Sequence, residues 1–146
     1  MSTIRSILDD KGWAIYTVGG DATVFEAVSR MCRNHIGALL VNDNGKLIGI
    51  ISERDIMRRV VLEHRDPSST SVAEVMTREL AFVLIDASPG DAMALMIERR
   101  CRHLPVLDDG REVGMVSMGD LVRWTNRNHV HEIQALQEYV SGATAG

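Results

Sequence analysis

Gly49-Ile50-Ile51-Ser52-Glu53-Arg54-Asp55 returns 65 residues later as Gly114-Met115-Val116-Ser117-Met118-Gly119-Asp120. Both copies read glycine, two apolar residues, serine, two variable residues, aspartate. The apolar run predicts a strand end, and Ser-x-x-Asp predicts a helix start. A strand that runs into a helix gathers free backbone N–H groups and the positive end of the helix dipole at one point. A hydroxyl and a carboxylate stand at that point in both copies. The same spacing is also a capping box, in which the two side chains satisfy the first N–H groups of the helix. Thr23 with Glu26, Ser71 with Glu74, and Ser88 with Asp91 share it.

The repetition extends well beyond the motif. Val18 to Arg58 lies on Val83 to Arg123 without a gap. Asp21/Asp86, Ala27/Ala92, Met31/Met96, Val41/Val106, Gly45/Gly110, Gly49/Gly114, Ser52/Ser117, Asp55/Asp120 and Arg58/Arg123 coincide. Shared turn rules would align the glycines, but they would not hold caps, core positions and strand ends in one register. Internal repetition is therefore the organising fact.

Each copy reads strand, helix, strand, hairpin, strand, helix. Thr3 to Lys11 predicts a leading helix that Gly12 stops. Trp13 to Val18 is extended. Thr23 caps a helix to about Asn34, with Val24, Ala27, Val28 and Met31 as its apolar stripe. Gly37 to Val41 is wholly apolar, as in a strand covered on both faces. Asn42 to Gly45 is a hairpin turn, and Lys46 to Ile51 the return strand. Ser52 begins a helix to about Glu63. A polar linker leads to a short helix from Ser71 through Met76. The second copy follows: Ala81 to Ile85 extended, Ser88-Pro89 opening a helix to about Arg100, strands at Leu104 to Leu107 and Glu112 to Val116. A last helix starts at Ser117 and runs toward Tyr139, with a bend near Asn126 to Asn128 and a small-residue tail from Ser141. The fold class is mixed α/β (α+β). The predicted division is 1–66 with the leading helix, 67–126, and a C-terminal extension 127–146.

The totals limit the function. A length of 146 residues suits one compact domain or two intimate halves. The net charge of -4 argues against a nucleic-acid surface. Cys32 and Cys101 give no zinc or disulfide spacing, and buried thiols in a reducing compartment are expected. Met1 to Lys11 lacks the apolar core of a signal peptide, and no run reaches the roughly 20 apolar residues of a membrane span. The expectation is a cytoplasmic protein with no membrane or nucleic-acid partner. His129, His131 and Glu132 crowd the last helix, but one helix offers few converging ligands, so no metal is expected. No Walker loop, dinucleotide fingerprint or nucleophile signature occurs, so no enzyme is expected.

Over Trp13 to Trp124 the pattern resembles a tandem pair of CBS domains, named after cystathionine beta-synthase. The resemblance rests on the two Gly-x-x-Ser-x-x-Asp ends and on His103-Leu104-Pro105-Val106. Ser52 to Asp55, Arg102 to Val106 and the ending Glu138 to Gly142 are similar to a stand-alone subfamily of bacterial and organellar paired-CBS proteins. The resemblance implies two β-α-β-β-α units packed through their sheets by pseudo-two-fold symmetry, and a regulatory protein that homodimerises and acts on a protein effector in trans. It implies an adenosine-containing ligand in the clefts: AMP, ADP, ATP, NAD(H) or S-adenosylmethionine. Asp55 and Asp120 would accept ribose hydroxyls, and Ser52 and Ser117 would meet phosphate. Adenine would lie against Val18, Ala38 and Leu39 in one half and Val83 and Leu104 in the other.

Charge chemistry adds to this list. An acidic chain that binds an anion must gather local cations, and Arg54, Arg102 and His103 are the candidates. Glu53-Arg54 answers to Met118-Gly119, and Gly37-Ala38 to Arg102-His103, so the two copies are not chemically equal. Met57, Val60 and Val61 with Leu121, Val122 and Trp124 form an apolar stripe on the closing helices, read as a dimer face or as core. A ligand-independent interaction module, with the Ser-x-x-Asp pairs as caps only, is the alternative.

Overall fold

The computed structural model describes residues 1–145; the side chains of His131, Glu132 and 141–145 lie outside the described set. The group His129, His131 and Glu132 therefore falls outside it as well. Two compact units divide the chain: Ala14–Ala81, and Met1–Trp13 together with the residues from Phe82 onward.

In the first unit, β1 (Thr17–Gly19), β2 (Ala38–Asp43) and β3 (Lys46–Ser52) form a three-stranded sheet in that order. β1 pairs with β2 in parallel and β2 with β3 antiparallel. The crossover between the parallel pair is α2, Val24–Asn34, capped by Thr23. Ala38, Leu39, Leu40 and Val41 are all buried, as the unbroken apolar run requires. Asn44 and Gly45 both take positive φ, 51° and 78°, the turn that matches the right-handed twist of a hairpin. After Ser52 comes α3, Glu53–Ile56, but the α-helix expected to reach Glu63 loosens into a π-helical turn over Met57–Val61. The Leu62 N–H reaches back to the Met57 carbonyl, the five-residue step of that geometry. Α short helix α4, Val72–Val75, follows the linker.

The second unit repeats this with α1, Ile4–Lys11, in front. β4 (Val83–Leu84), α5 (Pro89–Arg99), β5 (His103–Asp108) and β6 (Arg111–Ser117) reproduce the sheet order, the parallel and antiparallel pairings, and the positive-φ turn at Asp109 and Gly110. α6, Met118–Ala145, is one continuous helix through Asn126 to Asn128 and into the small-residue tail, where a bend and a frayed end were expected. β1 and β4 are shorter than the extended runs around them, because only residues opposite the central strand find ladder partners.

The compact units do not follow sequence order. α1 precedes the first repeat yet docks in the unit of the second. Its Ile4 and Arg5 N–H groups donate to the Ala87 and Ile85 carbonyls, both at 2.9 Å. α4 precedes the second repeat yet docks on the first, with Val72 donating to the Ala22 carbonyl at 2.8 Å and Ala73 to the Gly20 carbonyl at 2.9 Å. Ala22 and Gly20 match Ala87 and Ile85 in the repeat. Each lead-in helix thus satisfies its first N–H groups on the turn that follows the first strand of the other repeat, where a helix start would otherwise leave them free. Ile4, Ile7 and Leu8 are buried by this docking, as are Val72 and Val75.

Two sequence expectations shift at this level. Cys32 is exposed and Cys101 half-buried, and neither is in a disulfide. Cys32 follows the inward Met31 on α2 and so falls outside the apolar face. Val60 and Leu121 are fully buried core, while Met57 (59 % exposed), Val61 (62 %) and Leu62 (72 %) carry the open apolar face of the closing turn.

The motif glycines owe their identity to these dockings. A Cβ on Gly49 would stand 2.6 Å from Met76 Sδ and 2.8 Å from the Thr77 carbonyl oxygen, which is fixed by its ladder to Ile50. On Gly114 it would meet only the methyls of Leu8, at 3.0 and 3.1 Å. Gly49→Ala should destabilise by about 1–3 kcal/mol, as overpacking does, and Gly114→Ala by less. Urea denaturation of both variants checks this; an equal or reversed order would mean the backbone contact is not what excludes the side chain.

Candidate functional site

Both motif ends are built alike. Ser52 is the last residue of β3 and lies opposite Ala38 in the ladder; Ser117 ends β6 opposite His103. The first N–H of each helix bonds the preceding strand approach: Glu53 donates to the Gly37 carbonyl at 3.0 Å, and Met118 to the Arg102 carbonyl at 2.8 Å. Ala38 and its neighbour Gly37 thus lie at the Ser52 end, and Arg102 and His103 at the Ser117 end.

The capping exchange is complete in both. The Ser52 N–H donates to Asp55 Oδ2 at 2.9 Å, and the Asp55 N–H donates to Ser52 Oγ at 3.3 Å. The Ser117 N–H donates to Asp120 Oδ2 at 2.8 Å, and the Asp120 N–H to Ser117 Oγ at 3.1 Å. At Ser71 the N–H donates to Glu74 Oε2 at 2.9 Å, whereas the side chains of Thr23 and Ser88 accept from the third helical N–H. The cap reading of the motif is therefore structural fact.

The carboxylates have further partners, and here the two ends diverge. Asp55 is buried. Its Oδ2 also takes the Ser52 hydroxyl at 3.1 Å, and its Oδ1 the Thr77 hydroxyl at 2.8 Å. Arg59 stands 3.9 Å away with its Nη1 bonded to the Val75 and Met76 carbonyls, at 3.0 and 2.8 Å. Asp120 instead meets full cations. Lys11 Nζ donates to its Oδ2 and Arg123 Nη2 to its Oδ1, each at 2.7 Å, and Lys11 also donates to the Met115 carbonyl. Burial alone would push the Asp120 carboxyl up. The Lys11 hydrogen bond, the Ser117 N–H and the Lys11 charge outweigh it and hold the group below its ordinary value.

Beside Asp120 lies a recess of about 240 Å³. Ile7 and Trp124 are its apolar lining, and Asp10, Lys11, Asp120, Arg123 and Arg127 its charged lining. Arg127 is paired with Asp10. The indole N–H of Trp124 is enclosed and has no hydrogen-bond partner. Among the described residues, no group of three His, Cys, Asp or Glu side chains could hold a metal ion.

The other residues singled out from sequence scatter along the strands. Leu39 and Leu104 are fully buried on the central strands. Val18 pairs with Val41 and Val83 with Val106, three residues along from the motif end, about 10 Å at strand rise. Both are core. Arg54 and Arg102 are exposed and His103 is half-buried. Lys11, Thr77 and Arg123 are not among the site residues read from sequence, and Trp124 is there only as a member of the apolar stripe. Arg123 had a signal, since it matches Arg58 in the repeat. Lys11 and Thr77 had none: they reach their carboxylates from lead-in segments far off in the chain.

A duplicated β-α-β-β-α unit with a capped Ser-x-x-Asp at each strand-to-helix junction defines a paired-repeat class of proteins. The CBS domain profile matches residues 13–62 and 72–127, and the chain belongs to the CBS domain family. It is 37 % identical over 152 residues to the CBS domain-containing protein CBSX3, mitochondrial, of Arabidopsis thaliana, covering 97 % of this chain and 73 % of that one. It is 37 % identical over 118 residues to the CBS domain-containing protein YhcV of Bacillus subtilis, covering 81 % and 84 %. A solved structure of a protein with CBS domains from Burkholderia ambifaria superposes with a TM-score of 0.82 at 44 % identity, over 85 % of this chain and 93 % of that one. The family is generally regulatory and binds adenosine-containing ligands. No helix among the described residues is long and apolar enough to cross a membrane.

The lowered Asp120 carboxyl fixes a pH dependence. The native state holds this proton more weakly than the unfolded chain, whose value is near 3.8. Its contribution is present above that value and fades as pH falls through the lower native one. Asp120→Asn should be less stable than the parent at pH 6, and the gap should close below about pH 4. Urea midpoints across that range measure it. Glu74, also lowered, acts equally in both proteins and cancels; a gap constant with pH would show that Asp120 stabilises only by shape.

Proposed function

We propose that the chain is a regulatory module that binds an adenosine-containing ligand, one of AMP, ADP, ATP, NAD(H) or S-adenosylmethionine, at its Ser-x-x-Asp ends and acts on a protein effector in trans. The observation that carries this is the Asp120 end. The Asp120 carboxylate, held at a helix start by its exchange with Ser117, lines one recess together with the cations Lys11, Arg123 and Arg127. A ribose diol needs an ionised acceptor, and phosphate needs donors at a helix start. In this reading Asp55 and Asp120 accept ribose hydroxyls. Ser52 and Ser117 meet phosphate, with Arg54, Arg102 and His103 as the nearby cations. The base lies along Ala38 and Leu39, or Leu104, with Val18 and Val83 behind. No metal is required and no reaction is assigned. Regulation requires that the ligand favour one geometry over another. We assign the cytoplasm, although the Arabidopsis relative is named as mitochondrial.

One observation favours a ligand-independent interaction module instead: both carboxylates are already engaged in caps and have cations beside them. Titration calorimetry separates the two. At least one of the named ligands should bind with Kd below ~1 mM, and Asp120→Ala should weaken it by about tenfold or more with the fold retained. If none binds the parent protein, the interaction module stands. If Asp120→Ala costs stability alone, with affinity unchanged, Asp120 is only a cap.

Self-association is part of the same proposal. Met57, Val61 and Leu62 present an open apolar face on the π-helical turn, a feature that marks contact surfaces. Light scattering should give a homodimer mass for the parent and a smaller weight-average mass for Met57→Glu at equal concentration. A monomeric parent would remove the dimer from the reading.

A further inference from the structure

The geometry points to a selectivity latch: Lys11 and Arg123 hold the Asp120 carboxylate until a phosphorylated nucleoside releases them, so this end takes nucleotides and rejects uncharged nucleosides and sulfonium-bearing ones. The inference rests on the ribose role proposed for Asp120.

The count of acceptor positions carries it. A carboxylate offers about four lone-pair sites on two oxygens. Asp120 Oδ2 holds the Ser117 N–H and Lys11 Nζ, and Oδ1 holds Arg123 Nη2. About one site is left, and a ribose diol presents two hydroxyls. The diol can therefore dock in full only when a cation leaves.

Both cations are able to leave and have somewhere to go. The Lys11 side chain is 33 % exposed on a flexible stem, and that of Arg123 is 67 % exposed. Both line the recess with Arg127. Lys11, Arg123 and Arg127 against Asp10 and Asp120 leave the lining one positive charge in excess. A phosphate on the ligand would take a displaced ammonium or accept the guanidinium fork. A neutral nucleoside breaks the same ion pair and gives nothing back. A sulfonium adds a cation to a recess already positive. At Asp55 the matching bond comes from the neutral Thr77 hydroxyl, so this device belongs to the Asp120 end.

Trp124 also supplies the readout. The chain has two tryptophans, and Trp13 donates its indole N–H only to the exposed Asp9. In a Trp13→Phe background, Trp124 fluorescence reports the recess alone. AMP, adenosine and S-adenosylmethionine are titrated in turn. AMP should bind at least about tenfold tighter than either of the others. Lys11→Gln should shrink the AMP-to-adenosine ratio to about threefold or less, and Lys11→Arg should restore it. A ratio in Lys11→Gln equal to the parent's would overturn the latch. So would equal tightening of AMP and adenosine, which would make Lys11 a plain competitor. If the ligands bind without discrimination, the ribose site survives and the latch does not. If none binds by fluorescence or calorimetry, the proposed function falls and takes the latch with it.

Discussion

Both strand-to-helix junctions of this chain depend on a two-way exchange of hydrogen bonds across four residues. Serine and aspartate each give a backbone N–H and each receive one, and the helix start is fixed relative to the strand that feeds it. That exchange does more than stabilise a helix terminus. It pins a carboxylate in one orientation beside a backbone that is already pinned by the ladder. Whatever approaches from outside meets a rigid acceptor, and the identity of the neighbours decides what the acceptor is worth. At Asp55 the neighbours are hydroxyls, with Arg59 spent on backbone carbonyls. At Asp120 they are two cations in direct contact.

The two ends share their motif and differ in electrostatics for a reason that lies outside the motif. Thr77 and Lys11 come from the lead-in segments, which vary while the junction stays the same. A duplicated fold can keep its architecture through the residues that align and diversify its chemistry through those that do not. The pKa of Asp120 is set in part by a lysine more than a hundred residues away in sequence. No local comparison of Ser52–Asp55 with Ser117–Asp120 could expose that.

Much of the fold was legible for the same reason that the repeat was. Caps at Thr23, Ser71 and Ser88, the hairpin turns at Asn44 and Asp109, and the unbroken apolar run from Ala38 to Val41 are local signals, and each fell where the residues placed it. The errors are equally physical. The helix after Ser52 was read as uniform because the apolar pattern from Met57 to Val61 does not distinguish a π-helical turn from an α-helical one. Val60 and Leu121 were grouped with Met57 and Val61 because periodicity gives a face but not its depth. The carboxylates and serines of the site could be named from the motif. The basic residues around Asp120 could not, since Lys11 arrives by tertiary docking alone.

The exchanged lead-in helices carry a consequence for synthesis. The unit of residues 14–81 is contiguous, so all of it is available once Ala81 has left the ribosome, and domains generally fold as they emerge. The other unit is closed by two segments, residues 1–13 and those from Phe82 onward. Until β6 exists, α1 has no sheet to dock on, and Ile4, Ile7 and Leu8 stay in water. The contiguous unit can therefore mature first, and α1, made before it, finds its place after it.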